Sequence, residues 1–284
     1  GYNIRHPKAE ADMTILVAVD ISETGRGVLS KAAVFAEQNN AELHVIHVIE
    51  DTWFTLNHDI RTIGEQIWQE LSSRIVSLKR NRFHCVAGNA TREICTLAET
   101  LEAKLIVLGS SGEHYIFREL LVGSTTKNIV RDSPVPVLVV KNDSALHPDR
   151  ILVPTNLSEY SRDTILKTAA LFPAAELILF KSYTLPFEGR LKTYGFTEED
   201  IFDLHRQISE KEEEESEAFV HSLSLPSDKI HMITRKGVLN PPLFLETAAS
   251  YHTDLIAVHT SGSFSFFTFD LLEESGLDVL ICPF

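Results

Sequence analysis

Three segments of the chain occur twice, in the same order. Ile15-Leu-Val-Ala-Val-Asp20-Ile-Ser-Glu23 returns as Ile151-Leu-Val-Pro-Thr-Asn156-Leu-Ser-Glu159. Ala41-Glu-Leu43 returns as Ala175-Glu-Leu177, and Lys104-Leu-Ile-Val-Leu-Gly-Ser-Ser-Gly112 as Asp254-Leu-Ile-Ala-Val-His-Thr-Ser-Gly262. The offsets are 136, 134 and 150 residues. Whatever this sequence folds into, it folds into it twice. With 284 residues, each copy has the length of one ordinary domain.

Within a copy, short β-branched runs alternate with longer segments of helical period. The first copy predicts strands at 14–19, 42–48, 83–87, 105–108 and 135–140, and helices at 22–38, 59–78, 91–101 and 124–131. Ser22 and Thr91 are placed to cap the first and third helices. Gly25 and Ile94 stand where a full capping box needs Glu or Gln. The second copy predicts strands at 150–155, 177–180, 230–234, 255–258 and 279–282. Strands this apolar, separated by helices, belong to a parallel sheet covered on both faces, and right-handed crossovers make it a doubly wound α/β domain. The expected division is an N-terminal arm or cloning remnant at 1–12, a first domain at 13–142, and a second at 149–284. A polar stretch with Pro148 lies between the two.

Forty acidic residues against 26 basic ones give a formal charge of −14. That speaks against a broad nucleic-acid or anionic-membrane surface, since both need a basic footprint. No apolar run approaches the roughly 18–20 residues of a membrane span, and the first twelve residues lack an apolar signal core. Cys85, Cys95 and Cys282 show no disulfide or zinc spacing. Together these predict a cytoplasmic protein. The acidic segment 197–221 keeps Ile201, Leu204, Ile208, Phe219 and Val220 at loosely helical spacing and reads as a solvated helix.

In open α/β sheets, ligands sit beyond the carboxyl ends of the strands, where strand order reverses. Asp20 follows the first strand, Gly109-Ser-Ser-Gly112 follows the fourth, and Gly123-Ser124-Thr125 opens the fourth helix. Glycines let an anion approach the backbone, and a helix start offers free N–H groups to it. Asp20 suits a ribose hydroxyl or a phosphate-bound metal ion. Lys127 adds positive charge one turn in, or faces solvent. Each piece alone is an ordinary turn or cap; jointly they describe an anion site. No His-x3-His, Cys-x2-Cys, Gly-x-Ser-x-Gly or Gly-x4-Gly-Lys-Ser/Thr motif occurs. No base and nucleophile pair for catalysis stands out. His44 and His47, at odd spacing on one strand, are expected on opposite faces.

These residues carry a resemblance. Ile15–Asp20, the strand His44–Val48, Ala90–Ile94, Gly109-x2-Gly112, Gly123-Ser124-Thr125 and Pro134–Val140, in that order, are similar to a universal stress protein domain. The second copy resembles it through Ile151–Glu159, Asp254–Gly262 and Asp278–Cys282. The resemblance implies a five-stranded parallel sheet with helices on both faces (a Rossmann-like fold). In the family's nucleotide-binding branch it also implies ATP or AMP, with or without Mg²⁺. Ala18, Asp20, Val48, Gly109, Gly112, Gly123, Ser124 and Thr125 are the residues it places at the ligand. Strand five often pairs across a dimer in this family, so a tandem chain resembles an intrachain pseudo-dimer, and a further homodimer is an open expectation.

Two departures stand out. Ten residues separate Gly112 from Gly123, where the family's loop has nine. Tyr115 and Phe117 add bulk within that loop. In the second copy Asn156 replaces Asp20, His259 replaces Gly109, and eight residues spanning the Gly-Ser-Thr element are missing. Phe264, Phe266, Phe267 and Phe269 stand near the gap, as core or as a contact surface. The expectation is a nucleotide-binding regulatory protein with one working half. The alternatives are a stress-response interaction module with an unknown protein partner and no nucleotide, and a weak ATPase or self-phosphorylating protein using Ser124 or Thr125.

Overall fold

The computed structural model describes residues 13–21, 23–50, 59–75, 77–110, 122–185, 187–262 and 264–284. The chain divides into two compact units between Leu146 and His147. The first runs β1 (Thr14–Ala18), α1 (Glu23–Gln38), β2 (Glu42–Ile49), α2 (Ile60–Arg74), β3 (Phe83–Ala87), α3 (Ala90–Thr100), β4 (Leu105–Gly109), α4 (Ser124–Asp132) and β5 (Val137–Val140). The second runs β6 (Arg150–Pro154), α5 (Glu159–Leu171), β7 (Glu176–Tyr183), α6 (Glu198–Ser222), β8 (Ile230–Lys236), α7 (Pro241–Ser250), β9 (Leu255–His259), α8 (Phe264–Glu274) and β10 (Asp278–Cys282).

In the first unit the strands lie parallel in the order β3-β2-β1-β4-β5. In the second the order is β8-β7-β6-β9-β10, again parallel. Each sheet therefore reverses its winding at its first strand, between β1 and β4 and between β6 and β9. The inner strands are buried almost end to end: Leu105 to Leu108 in β4 and all of β9. Burial on both faces is what their unbroken apolar runs require.

The duplication is also written in the backbone. Glu102 and His252, 150 residues apart, both take left-handed φ, 49° and 50°. Each closes a helix with the same six-residue bond, Ala103 N to Ala98 O at 2.9 Å and Thr253 N to Ala248 O at 3.0 Å. The next residue then enters the sheet alike: Lys104 N bonds Thr14 O, and Asp254 N bonds Arg150 O.

Several boundaries differ from the periodicity. β5 starts at Val137, not Val135, because the Val135 N–H is taken by the Ser133 hydroxyl and Pro136 has none to give. The cap of α3 is Asn89, whose side chain accepts from Arg92 N at 3.0 Å; Thr91 lies inside the helix. The helix starts early because Ala90 N donates to the Glu50 carboxylate. α2 ends at Arg74, four residues sooner than the apolar spacing suggests. Ser22 lies outside the described residues. The acidic segment is the helix between β7 and β8, opened by a full capping box from Thr197 and Asp200. No helix among the described residues is long and apolar enough to cross a membrane.

Candidate functional site

β1 and β4 are neighbours with Val17 beside Val107, so Asp20 and Ser110 leave the sheet at about the same level. The end of β1 is clamped from β2. Val19 N donates to Ile46 O at 3.0 Å, and the buried His47 donates from Nδ1 to Val19 O at 2.9 Å. His47 was visible in sequence only as a histidine facing away from His44. His44 indeed turns to the other side, donating to Glu42 and accepting from His84.

Asp20 then lies against the first turn of α1. A Cβ added to Gly25 would stand 2.1 Å from Asp20 Oδ1 and 2.5 Å from its carbonyl oxygen. Gly25 is therefore the residue that lets the strand end and the helix start approach this closely, a role hidden behind its reading as a missing capping partner. Ala18 and Val48, half-buried, end β1 and approach the end of β2.

On the β4 side, the Thr126 hydroxyl donates to Gly109 O at 3.0 Å, and Gly123 N donates to Ser110 O at 2.8 Å. The start of α4 is thus pinned to the end of β4. Gly112, Tyr115 and Phe117 fall in that stretch, outside the described residues. Gly123 is the N-cap of α4 and supplies no side-chain bond. Every other α-helix with a described N-cap has one: Asp59, Asn89, Ser158, Thr197 and Asn240 each accept from the first turn. Ser124 is exposed and Thr125 half-exposed at this glycine-capped start. Helix-start amides next to glycine backbone suit an anion.

The second domain fills the same places with its own side chains. Ser161 stands where Gly25 stands, fully buried, and its hydroxyl donates to Asn156 Oδ1 at 2.9 Å. Asn156 Oδ1 also accepts from Ser158 N at 3.2 Å, so the residue replacing Asp20 is bonded into its own loop. Thr268 donates to His259 O at 2.6 Å, repeating the bond of Thr126 to Gly109. The bonded residues are 9 apart here and 17 in the first domain. The eight-residue deletion has therefore removed the loop and kept the helix. The positions matching Gly123, Ser124 and Thr125 become Ser265, Phe266 and Phe267.

Phe264 and Phe267 are core, Phe269 is half-buried, and Phe266 is 85 % exposed. His259 is 1 % exposed and accepts from Ser261 N through Nδ1 at 3.2 Å. Its Nε2 has no partner, and the rings of Tyr160, Phe264 and Phe284 surround it. Burial pushes its pKa down to about 4. Burial likewise raises the thiols of Cys85, Cys95 (to about 11) and Cys282 (to about 12), which keeps them protonated.

A sequence model described as the Universal stress protein family matches residues 13–141. Universal stress protein A homolog 1 of Coxiella burnetii is 31% identical over 137 residues, which are 44% of this chain and 94% of that protein. A universal stress protein of Mycobacterium tuberculosis is 30% identical over 151 residues, 48% of this chain and 50% of that protein, so the match spans only half of this second relative. The crystal structure of a universal stress protein from Archaeoglobus fulgidus superposes with a TM-score of 0.63 at 18% identity, covering 95% of this chain and 96% of that one. The last similarity concerns the fold alone, but it extends over both halves. The chain belongs to the universal stress protein family.

Proposed function

We propose that the first domain binds ATP or AMP beyond the carboxyl ends of β1 and β4, as part of a regulatory protein. In this reading the second domain has given up that site and serves a structural or regulatory role. The observation that carries it is the start of α4, whose N-cap Gly123 brings no side chain to the first turn and which is pinned beside Gly109 and Ser110. The amides of that turn, with the backbone of Gly109, Gly112 and Gly123, take the phosphates. The Ser124 and Thr125 hydroxyls add donors. Asp20 accepts from the ribose or holds a phosphate-bound Mg²⁺, and Ala18 and Val48 wall the base. In the second domain the residues at the positions of Asp20 and Gly109, Asn156 and His259, are bonded within their own loops, and the eight-residue deletion has removed the loop before the helix.

Gly123→Val tests the assignment. Gly123 has φ −63° and ψ 153°, ordinary extended backbone that valine adopts, and because the residue is buried far-UV circular dichroism and Tm are read alongside to separate loss of the site from loss of the fold. The affinity for ATP and AMP is expected to fall at least about tenfold, because the added methyls occupy the phosphate's approach. Unaltered affinity would remove Gly123 from the site.

A further inference from the structure

We propose that the second domain docks a cationic, apolar-faced helical segment of another protein, on the surface made by the β7–α6 connection and the outer stripe of α6. This inference is independent of nucleotide binding.

Among the described residues, every large apolar side chain with high exposure except Val34 belongs to the second domain. Four of them are aromatic and fall between residues 187 and 202: Phe187 and Phe202 at 68 %, Tyr194 at 58 % and Phe196 at 44 %. Scattered apolar residues are normal on a surface; aromatic rings gathered on one short segment mark a contact. The segment is held in place. Leu185 and Leu191 are buried beneath it. Arg190 N bonds Phe187 O, and Phe196 N bonds Leu191 O. Glu188 pairs with Lys236 at the end of β8 and faces His205 of α6 at 3.7 Å. Phe187 itself holds φ 55°, a left-handed conformation unusual for an aromatic residue. The rings are presented to solvent by a bonded scaffold.

The flanking charge identifies the partner's chemistry. Residues 147–284 carry 22 acidic and 11 basic side chains, so most of the chain's −14 resides in this half. α6 holds ten Asp and Glu against Arg206 and Lys211. At helical spacing Glu199, Phe202, Arg206, Glu210 and Glu217 share one stripe, and Arg206 is paired with Asp203 of the same helix at 3.1 Å. The face across the helix is occupied by the buried Ser216 and Phe219 and by Glu212, which pairs with Lys181 of β7. Exposed apolar rings bordered by carboxylates complement a segment with lysine or arginine beside leucine-like side chains. A second copy of this chain would bring two acidic stripes together, and nucleic acid or an anionic membrane would be repelled in the same way.

The test uses the full-length chain and a fluorescent amphipathic helical peptide of lysine and leucine, compared with a peptide of equal charge carrying serine for leucine. Anisotropy should show saturable binding of one leucine peptide per chain. Binding should weaken about tenfold or more with the serine peptide, and by a similar factor in Phe187→Ser/Phe202→Ser at unchanged Tm. Glu210→Gln/Glu217→Gln should weaken it further and flatten its salt dependence. Absence of saturable binding would overturn the proposal. So would equal affinity for the two peptides, which reads charge alone, or wild-type affinity in the double phenylalanine variant. Sedimentation showing self-association that this variant abolishes would assign the surface to a second copy instead.

Discussion

Gly25→Ala is expected to cost the first domain about 2 kcal/mol or more and to abolish nucleotide binding with the same methyl group. The added Cβ would stand 2.5 Å from the Asp20 carbonyl oxygen. That oxygen belongs to backbone fixed from β2, where Ile46 and His47 bond Val19. The carboxylate, 2.1 Å from the same point, is free to rotate away only by giving up its place against α1. Either response moves Asp20, so stability and affinity fall together. Urea unfolding followed by tryptophan fluorescence reads the first effect, since both tryptophans, Trp53 and Trp68, belong to the first domain. Nucleotide titration reads the second. A Gly25→Ala protein as stable as wild type, with unaltered affinity, would show that the close approach has no consequence. The second domain shows what accommodating a Cβ there involves. Ser161 sits at the same position, Leu157 takes φ 62° in the preceding loop, and the polar residue of that loop is Asn156, bonded to the serine.

The second large effect concerns acid. His259 is enclosed by aromatic rings with Nε2 unpartnered, and burial holds its pKa at about 4, below the ordinary 6.5. The unfolded chain takes up this proton as pH falls through about 6.5, while the folded domain refuses it until about 4. Stability contributed by the neutral ring is thus intact above pH 6.5 and is lost progressively between there and pH 4. The loss comes to about 2–3 kcal/mol, set below the full conversion of the shift because the adjoining loop, Thr260 to Gly262, meets solvent. Protection factors of the β9 and α8 amides in the second domain, which are exchange rates corrected for the intrinsic pH dependence of amide exchange, should fall as pH drops across that window in the wild type. In His259→Gln, which does not titrate, the part of the slope above pH 5 should largely vanish whatever the variant's stability at neutrality. Identical slopes for the two proteins would show that the ring protonates without penalty.

Much of this was legible because it repeats or alternates. The duplicated segments give both sheets, and uninterrupted apolar runs such as Leu105–Leu108 are the buried central strands. The eight missing residues of the second copy appear again as the contrast between the Thr126–Gly109 and Thr268–His259 bonds. Periodicity says nothing about two backbones meeting at one point, so Gly25 passed for an absent cap and His47 for a residue facing elsewhere. Likewise the four phenylalanines near the gap look alike in sequence, but a helix separates them: Phe264 and Phe267 point inward and Phe266 outward. The acidic run reads correctly as a helix, yet its stripe gains meaning only beside the aromatic segment that precedes it.

The central claim is one nucleotide site, in the first domain. Calorimetric titration of nucleotide-free protein with ATP and with AMP in the presence of Mg²⁺ tests it most directly, run on the wild type and on Gly123→Val. The expected result is one nucleotide per chain for the wild type and binding at least about tenfold weaker for the variant. Two per chain, or no heat and no thermal stabilisation up to about a millimolar, would contradict it.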